Sequence, residues 1–533
     1  MATAPRPARR IAVLADSALE RDSRAHRVAA AAAGAGYEVT IIGRAAEGPG
    51  CRDCQDRGDR GDDASGIAPE GVRLIRVAVA ETLHRRRLQR PRPGLLRALA
   101  YRSAESYAYR NALVTAHTAL LASRQAELDV IHRPLPVKAA ARLGHGGARL
   151  QHAVRRAWTA LRSAQYRAAV RRRATPGGLL DRLSTATTRL LLGKRCWRRL
   201  DPLLLDLEIA YGPVLDELRP HLVHALGHRT LGTAVRAALR AEGTGHRVEV
   251  VWDTTAKTEP SHRAAVARDA HERTYVPLID GVVTVAETYA DRLRERHGLA
   301  ARPAVARNAP PYEARSSSSA SSASSASSAS SSSSSSRSGV RDRCHLAPEV
   351  PLLVHSGAVG PARGLLTVIE ALPKLYDLHA ALVVPDPGDA YVRILTDRAA
   401  ELGVENRLHV LPYVPPADIP RFLASADIGV LPVHRLPAHQ VALPARYFEY
   451  AHARLPVVVS DVRVLARPTL EIGNGEVFRS LDTADFVRAV GAVLTNPRRY
   501  RKAYDRGDTL REWSWQTQSA PLLDLYSRLL GPR

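Results

Sequence analysis

The chain has 533 residues, of which 45% are hydrophobic, and a formal net charge of +24. That length and apolar content exclude a fibrous or wholly disordered chain and call for at least two globular cores. No uncharged apolar run reaches the roughly 18 residues of a spanning helix, and four cysteines (51, 54, 196 and 344) are too few for a disulfide framework. Residues 1–10 are rich in Ala, Pro and Arg and lack the apolar core of a signal peptide, so a cytoplasmic location is expected.

Residues 11–14 predict a strand, 23–34 an Ala-rich helix, 39–42 a second strand and 72–79 a third. Cys51-Arg-Asp-Cys54 falls between them in a Gly/Asp/Arg-rich loop. Without a second pair at metal-binding spacing it reads as a surface loop rather than a metal or redox site. Residues 84–200 hold 26 Lys and Arg against 4 Asp and Glu, almost all of the chain's net charge. Arginines recur there among Leu, Ala, Tyr and Trp at helical spacing, so residues 84–205 predict a basic helical insertion in the first domain. Three uses of that charge stay open: a solvated face, attraction to an anionic membrane surface, or nucleic acid. The last is disfavoured because no recognition motif or stacking pattern accompanies it.

The strand–helix alternation resumes at 222–226, 230–241, 248–252 and 281–286. Residues 316–336 contain only Ser and Ala and offer nothing to bury, so a disordered tether is expected there. Strands then follow at 352–355, 380–384, 408–411, 428–431 and 457–459, with helices between. The expected class is α/β, with two Rossmann-like domains. The domain plan is 1–312, a Ser-rich linker at 313–340, a nucleotide-sugar domain at 341–500, and a helical tail at 501–533 returning to the first domain.

Two segments carry the chemistry. Ala442-Leu-Pro-Ala-Arg-Tyr-Phe-Glu-Tyr450 sets Arg446 and Glu449 one helical turn apart before an apolar strand. His355-Ser-Gly-Ala-Val-Gly-Pro-Ala-Arg-Gly364 follows a strand and opens a helix. In it Gly357 and Gly360 let backbone amides approach phosphate oxygens, and Arg363 stands at the helix start, a poor place for a cation unless an anion is near.

These segments resemble family 4 (group 1) glycosyltransferases of the GT-B fold. The resemblance implies a hexosyltransferase-like, retaining and metal-independent enzyme without a cofactor, taking a nucleoside-diphosphate sugar as donor and working in a cleft between its domains. It implies donor contacts at Gly357, Gly360, Arg363, Tyr413, Arg446 and Glu449, with Glu449 on the ribose hydroxyls and the two arginines on the diphosphate. Arg363, Arg446 and His228 are the candidate catalytic residues. Asp22, Arg24, His224 and Asp253 are the acceptor-side candidates, in segments resembling the family's first-domain loops. Asp22 and Arg24 could equally form a local ion pair, and His224 could be a core histidine. No metal ligands are expected.

Where the family carries its first glutamate this chain has Val441, with Gln440 beside it as a substitute hydrogen-bonding group. The alternative is therefore a catalytically impaired GT-B protein that binds sugar nucleotides or serves in an assembly. The acceptor is open (a polysaccharide, a lipid-linked or a natural-product hydroxyl), and a peripheral place on the inner face of a membrane is the expectation on the membrane reading of the basic insertion.

Overall fold

The computed structural model describes residues 9–18, 22–45, 71–84, 104–130, 135–170, 179–255, 261–312 and 338–531. The Cys51–Cys54 motif and the serine tract lie outside them. The chain divides into two compact units: Met1–Pro93 with Val170–Asn308 and Trp515–Arg533, and Gly94–Ala169 with Ala309–Ser514. The helices that position the candidate residues are, in chain order, α1 (Ser23–Gly34), α2 (Ala104–Val130), α3 (Leu135–Val170), α4 (His228–Glu242), α5 (Leu365–Ala371), α6 (Ala390–Glu401), α7 (Ala445–His452), α8 (Arg463–Ile472) and α9 (Ala520–Leu530).

The first unit holds seven strands: β1 (Arg10–Ala18), β2 (Glu38–Arg44), β3 (Val72–Val77), β4 (Leu222–Leu226), β5 (Glu249–Thr254), β6 (Gly281–Thr284) and β7 (Ala304–Val305). Their order is β3-β2-β1-β4-β5-β6-β7, and neighbours pair in parallel. β4 and β5 are buried along their whole length, as expected of central parallel strands covered on both faces. The second unit holds β8 (Leu352–Ser356), β9 (His379–Val384), β10 (Leu408–Pro412), β11 (Ile428–Leu431), β12 (Val457–Ser460) and β13 (Gly475–Phe478), in the parallel order β10-β9-β8-β11-β12-β13. β7 and β13 escape the sequence reading because two residues, or four interrupted by Gly475 and Glu476, leave little periodicity.

Each strand order reverses once, between β1 and β4 in one sheet and between β8 and β11 in the other. Chains leaving the carboxyl ends of those central strands diverge to opposite sides, so the crevice of an open α/β sheet lies there.

The basic insertion is not all part of the first domain. Residues 94–169 group with the second unit. On α2 the apolar positions Tyr109, Ala112, Leu113 and Ala116 form one stripe that packs on the core around Leu365 and Val368, and Tyr109 Oη donates to Asp397 Oδ2 at 2.7 Å, beside the same face of α6. Val114 and Leu121, on another face of α2, blurred that stripe in the sequence. Residues beyond Val170 do join the first unit, where Trp197 is buried edge-on against His271 at 4.9 Å. The tail also divides. Residues 501–514 stay with the second unit and only Trp515–Arg533 joins the first, where Leu522 and Tyr526 of α9 enter the core and Trp515 Nε1 donates to the Arg27 carbonyl at 2.6 Å. Among the described residues no helix is long and apolar enough to cross a membrane.

Candidate functional site

In the second unit the candidates gather at the reversal point of the sheet. β8 ends at Ser356, and the chain turns at Gly357, whose φ of +107° few other residues adopt. Its amide donates to the Val383 carbonyl at 2.7 Å. A β-carbon at Gly357 would collide with the guanidinium of Arg446. The glycine therefore makes room for an arginine that reaches it from the first turn of α7.

Arg363 stands six residues further on, in the turn Pro361–Arg363. Burial, and then the like charge of Arg446, lower its pKa to about 10. Neither Arg363 nor Arg446 forms an ion pair with a carboxylate among the described residues, whereas nearby Arg435 holds Asp461 through two hydrogen bonds. Two cations set close together in a partly desolvated place repel each other and lack a counter-charge. An anion is what the arrangement lacks.

The loop is fixed by the exit of β11. Gly364 has φ +73°, and a β-carbon there would run into the Pro432 carbonyl oxygen; the His434 amide donates to the Ala362 carbonyl at 3.0 Å. A β-carbon at Gly360 would meet nothing within 4 Å. At 357 and 364 a β-carbon would collide with its surroundings.

Three histidines line this region without having been assigned a role from sequence. His355 is fully buried, and burial, then Arg446 and more weakly Arg363, depress its pKa to about 3. Its ring approaches the Val430 and Ala358 backbone only loosely and makes no well-aligned hydrogen bond. Burial, then His439, takes His434 to about 4. His439 Nδ1 donates to the His434 carbonyl at 2.7 Å, and burial with nearby Arg363 also lowers its pKa. A neutral imidazole is what burial beside two guanidinium groups selects. The one sequence signal for them was their place at the end of β8 or shortly after β11.

Glu449 is buried within α7, at 3% exposure, one turn beyond Arg446. Tyr413 is half-buried just past β10, and Tyr450 Oη accepts the Ser356 amide at 3.0 Å beneath the loop. Gln440 Oε1 accepts the Arg463 amide at 3.1 Å, at the start of α8. Val441 beside it is buried.

In the first unit, three of the acceptor-side candidates converge in one buried network. Arg24 Nε donates to Asp253 Oδ2 at 2.8 Å, His224 Nε2 lies 3.2 Å from the same oxygen, and His224 Nδ1 meets Tyr526 Oη at 2.8 Å. Arg24 also donates to the Ala306 carbonyl at 2.6 Å and lies over the Trp515 ring. Burial alone would raise the Asp253 pKa, but Arg24 and His224 outweigh it and hold the carboxylate below its usual value. The network ties β4, β5 and α1 to the tail. Asp22 does not pair with Arg24; its Oδ1 caps α1 by accepting the Ala25 amide at 3.1 Å, and its Oδ2 accepts from Ser17 Oγ. His228 stands apart from the network, half-buried at the first position of α4, directly after Gly227 at the β4 carboxyl end. Among the described residues no group of three His, Cys, Asp or Glu is placed to hold a metal ion.

Residues 341–509 match the family Glycosyl transferases group 1. A D-inositol 3-phosphate glycosyltransferase of Nocardia farcinica is 27% identical over 203 residues, 36% of this chain and 44% of that protein. A GDP-mannose-dependent alpha-(1-6)-phosphatidylinositol monomannoside mannosyltransferase of Mycolicibacterium smegmatis is 28% identical over 199 residues, covering 36% and 51%. The chain spans about half the length of the curated relatives it matches. Among solved structures, sucrose-phosphate synthase from Thermosynechococcus elongatus superposes with a TM-score of 0.55 at 13% identity, over 98% of this chain and 99% of that one. HepE of Anabaena, solved with UDP and glucose, gives 0.51 at 13% identity over 98% and 100%. Both show the two-domain GT-B fold in this chain.

Proposed function

We propose that this protein is a retaining, metal-independent glycosyltransferase that moves a sugar from a nucleoside-diphosphate sugar to an acceptor hydroxyl. The observation that carries the reading is the pair Arg363 and Arg446, two partly desolvated cations without a carboxylate partner among the described residues, at the reversal point of the second sheet. Charge that develops on a departing diphosphate is stabilised by fixed cations in such a place. The named donor of the Mycolicibacterium relative is of this class, and the UDP and glucose held by the Anabaena protein are the two parts of such a donor.

In the proposed reaction the bond from the anomeric carbon to the diphosphate oxygen breaks, and its electron pair leaves with the diphosphate toward Arg363 and Arg446. The acceptor oxygen bonds to the same face of that carbon, and the hydroxyl proton passes to the departing oxygen. Glu449 accepts hydrogen bonds from the ribose hydroxyls, and Tyr413 borders the base. His228 is assigned to the acceptor, because it stands directly after Gly227 at the carboxyl end of β4, beside the reversal point of the first sheet. Those three residues act by holding the first unit's loops in place.

A second reading, donor binding without transfer, is favoured by Val441 and by the engagement of Gln440 with Arg463. Incubation with UDP-, GDP- and dTDP-sugars separates the two. A transferase hydrolyses one donor slowly without acceptor, and Glu449→Gln reduces that rate about tenfold or more through the lost charge-assisted bonds. Binding without hydrolysis supports the second reading, and neither binding nor hydrolysis sinks both.

A further inference from the structure

α3 is 36 residues long and carries seven basic and no acidic side chains. One side of it meets α2: Ser163 Oγ donates to Asn111 Oδ1 at 3.2 Å, and His152 Nε2 lies 3.0 Å from Thr118 Oγ1. The opposite side is apolar and uncovered. Leu143, Leu150, Val154, Trp158 and Leu161 are 79%, 71%, 65%, 53% and 47% exposed. Steps of seven, four, four and three residues place them on one helical stripe. Arg142 and Arg155, both exposed, flank it on either side, while Arg149 and Arg156 face the groove against α2.

We infer that this face of α3 docks in the interfacial layer of an anionic lipid bilayer. An uncovered leucine stripe with a tryptophan, edged by guanidinium groups and lacking carboxylates, matches acyl chains below and acidic headgroups at the rim. The charge pattern decides against the other occupants. Two copies of α3 set face to face would bring their arginine rims together without a counter-charge. A nucleic acid would satisfy the arginines but leave the leucines in water. The helix lies on the surface rather than crossing it, since its arginines and its low apolar content rule out a span.

The full chain is to be sedimented with phosphatidylcholine vesicles, with and without phosphatidylglycerol, at low and high salt. Expected is binding to the anionic vesicles that falls with salt, with a blue-shifted Trp158 emission absent in Trp158→Phe. Neutralising Arg142 and Arg155 to Gln lowers partitioning about fivefold per charge. Leu150→Glu with Val154→Glu lowers it tenfold or more, while far-UV circular dichroism stays unchanged because both positions are exposed. Failure of the wild type to bind anionic vesicles, or full binding by the Leu150→Glu, Val154→Glu variant, overturns the inference. So does self-association, or RNA binding, that the same double variant abolishes. No sugar donor enters the assay, so its outcome is independent of the transferase reading.

Discussion

Replacing Gly357 with alanine perturbs two things that can be separated. The backbone there has φ +107°, and imposing a β-carbon costs about 1–3 kcal/mol of stability. The methyl also lands on the Arg446 guanidinium, the far end of a long side chain, which swings away rather than unfolding the domain. If Arg446 contacts the diphosphate, its displacement removes a charge-assisted hydrogen bond of about 1.5–3 kcal/mol, or roughly 10- to 150-fold in Kd. Calorimetric titration with UDP and GDP reads that loss, and urea denaturation reads the backbone cost. The decisive comparison is the double-mutant cycle with Arg446→Ala. Once the guanidinium is gone the methyl has room, so Gly357→Ala then changes Kd less than about twofold. An equal weakening in both backgrounds refutes the reasoning, and so does a wild type that binds neither nucleotide.

Gly364→Ala meets a backbone carbonyl instead of a movable side chain, and it has φ +73°; it should cost more than about 2 kcal/mol in urea denaturation, or fail to fold. Tyr526→Phe removes the bond to His224 that anchors α9 and should cost about 1–2 kcal/mol without altering nucleotide affinity, which belongs to the other unit. The carboxyl of Asp253 is held below its ordinary pKa of 3.8, so the stability it lends is present above that pH and lost as pH falls further; Asp253→Asn flattens that limb of the pH–stability curve. His271 is depressed from 6.5 to about 3, so its contribution is full above pH 6.5 and declines as pH drops toward 4, by on the order of 3 kcal/mol. Denaturation midpoints of His271→Phe at pH 7 and pH 4.5 should therefore differ less than those of the wild type; an unchanged difference contradicts the assignment.

The strands were legible wherever a β-branched or leucine run stood between turns, as in Leu352–Ser356, His379–Val384 and Val457–Ser460. Such runs are apolar on both faces because a parallel strand is covered on both faces, and that constraint is local. The glycine-flanked loop to Arg363 and the Arg446–Glu449 helix were legible for the same reason, since turns and helical spacing are set by neighbours in sequence. Three things were not. The docking of α2 on the second unit depends on a four-residue stripe and on Tyr109 meeting Asp397, 288 residues away. The use of Arg24, His224 and Asp253 depends on Tyr526, placed beside them only when the tail returns to the first sheet. Val441 and Gln440 read as a damaged glutamate position, and only the packing at α8 shows what Gln440 does.

By itself, then, the sequence determined which segments are strands and where cations and a carboxylate stand along the chain, because periodicity and turn chemistry act over a few residues. Only the tertiary structure decided that Arg363 and Arg446 share one place while Arg24 and Asp253 neutralise each other, because charges meet or part according to strand order.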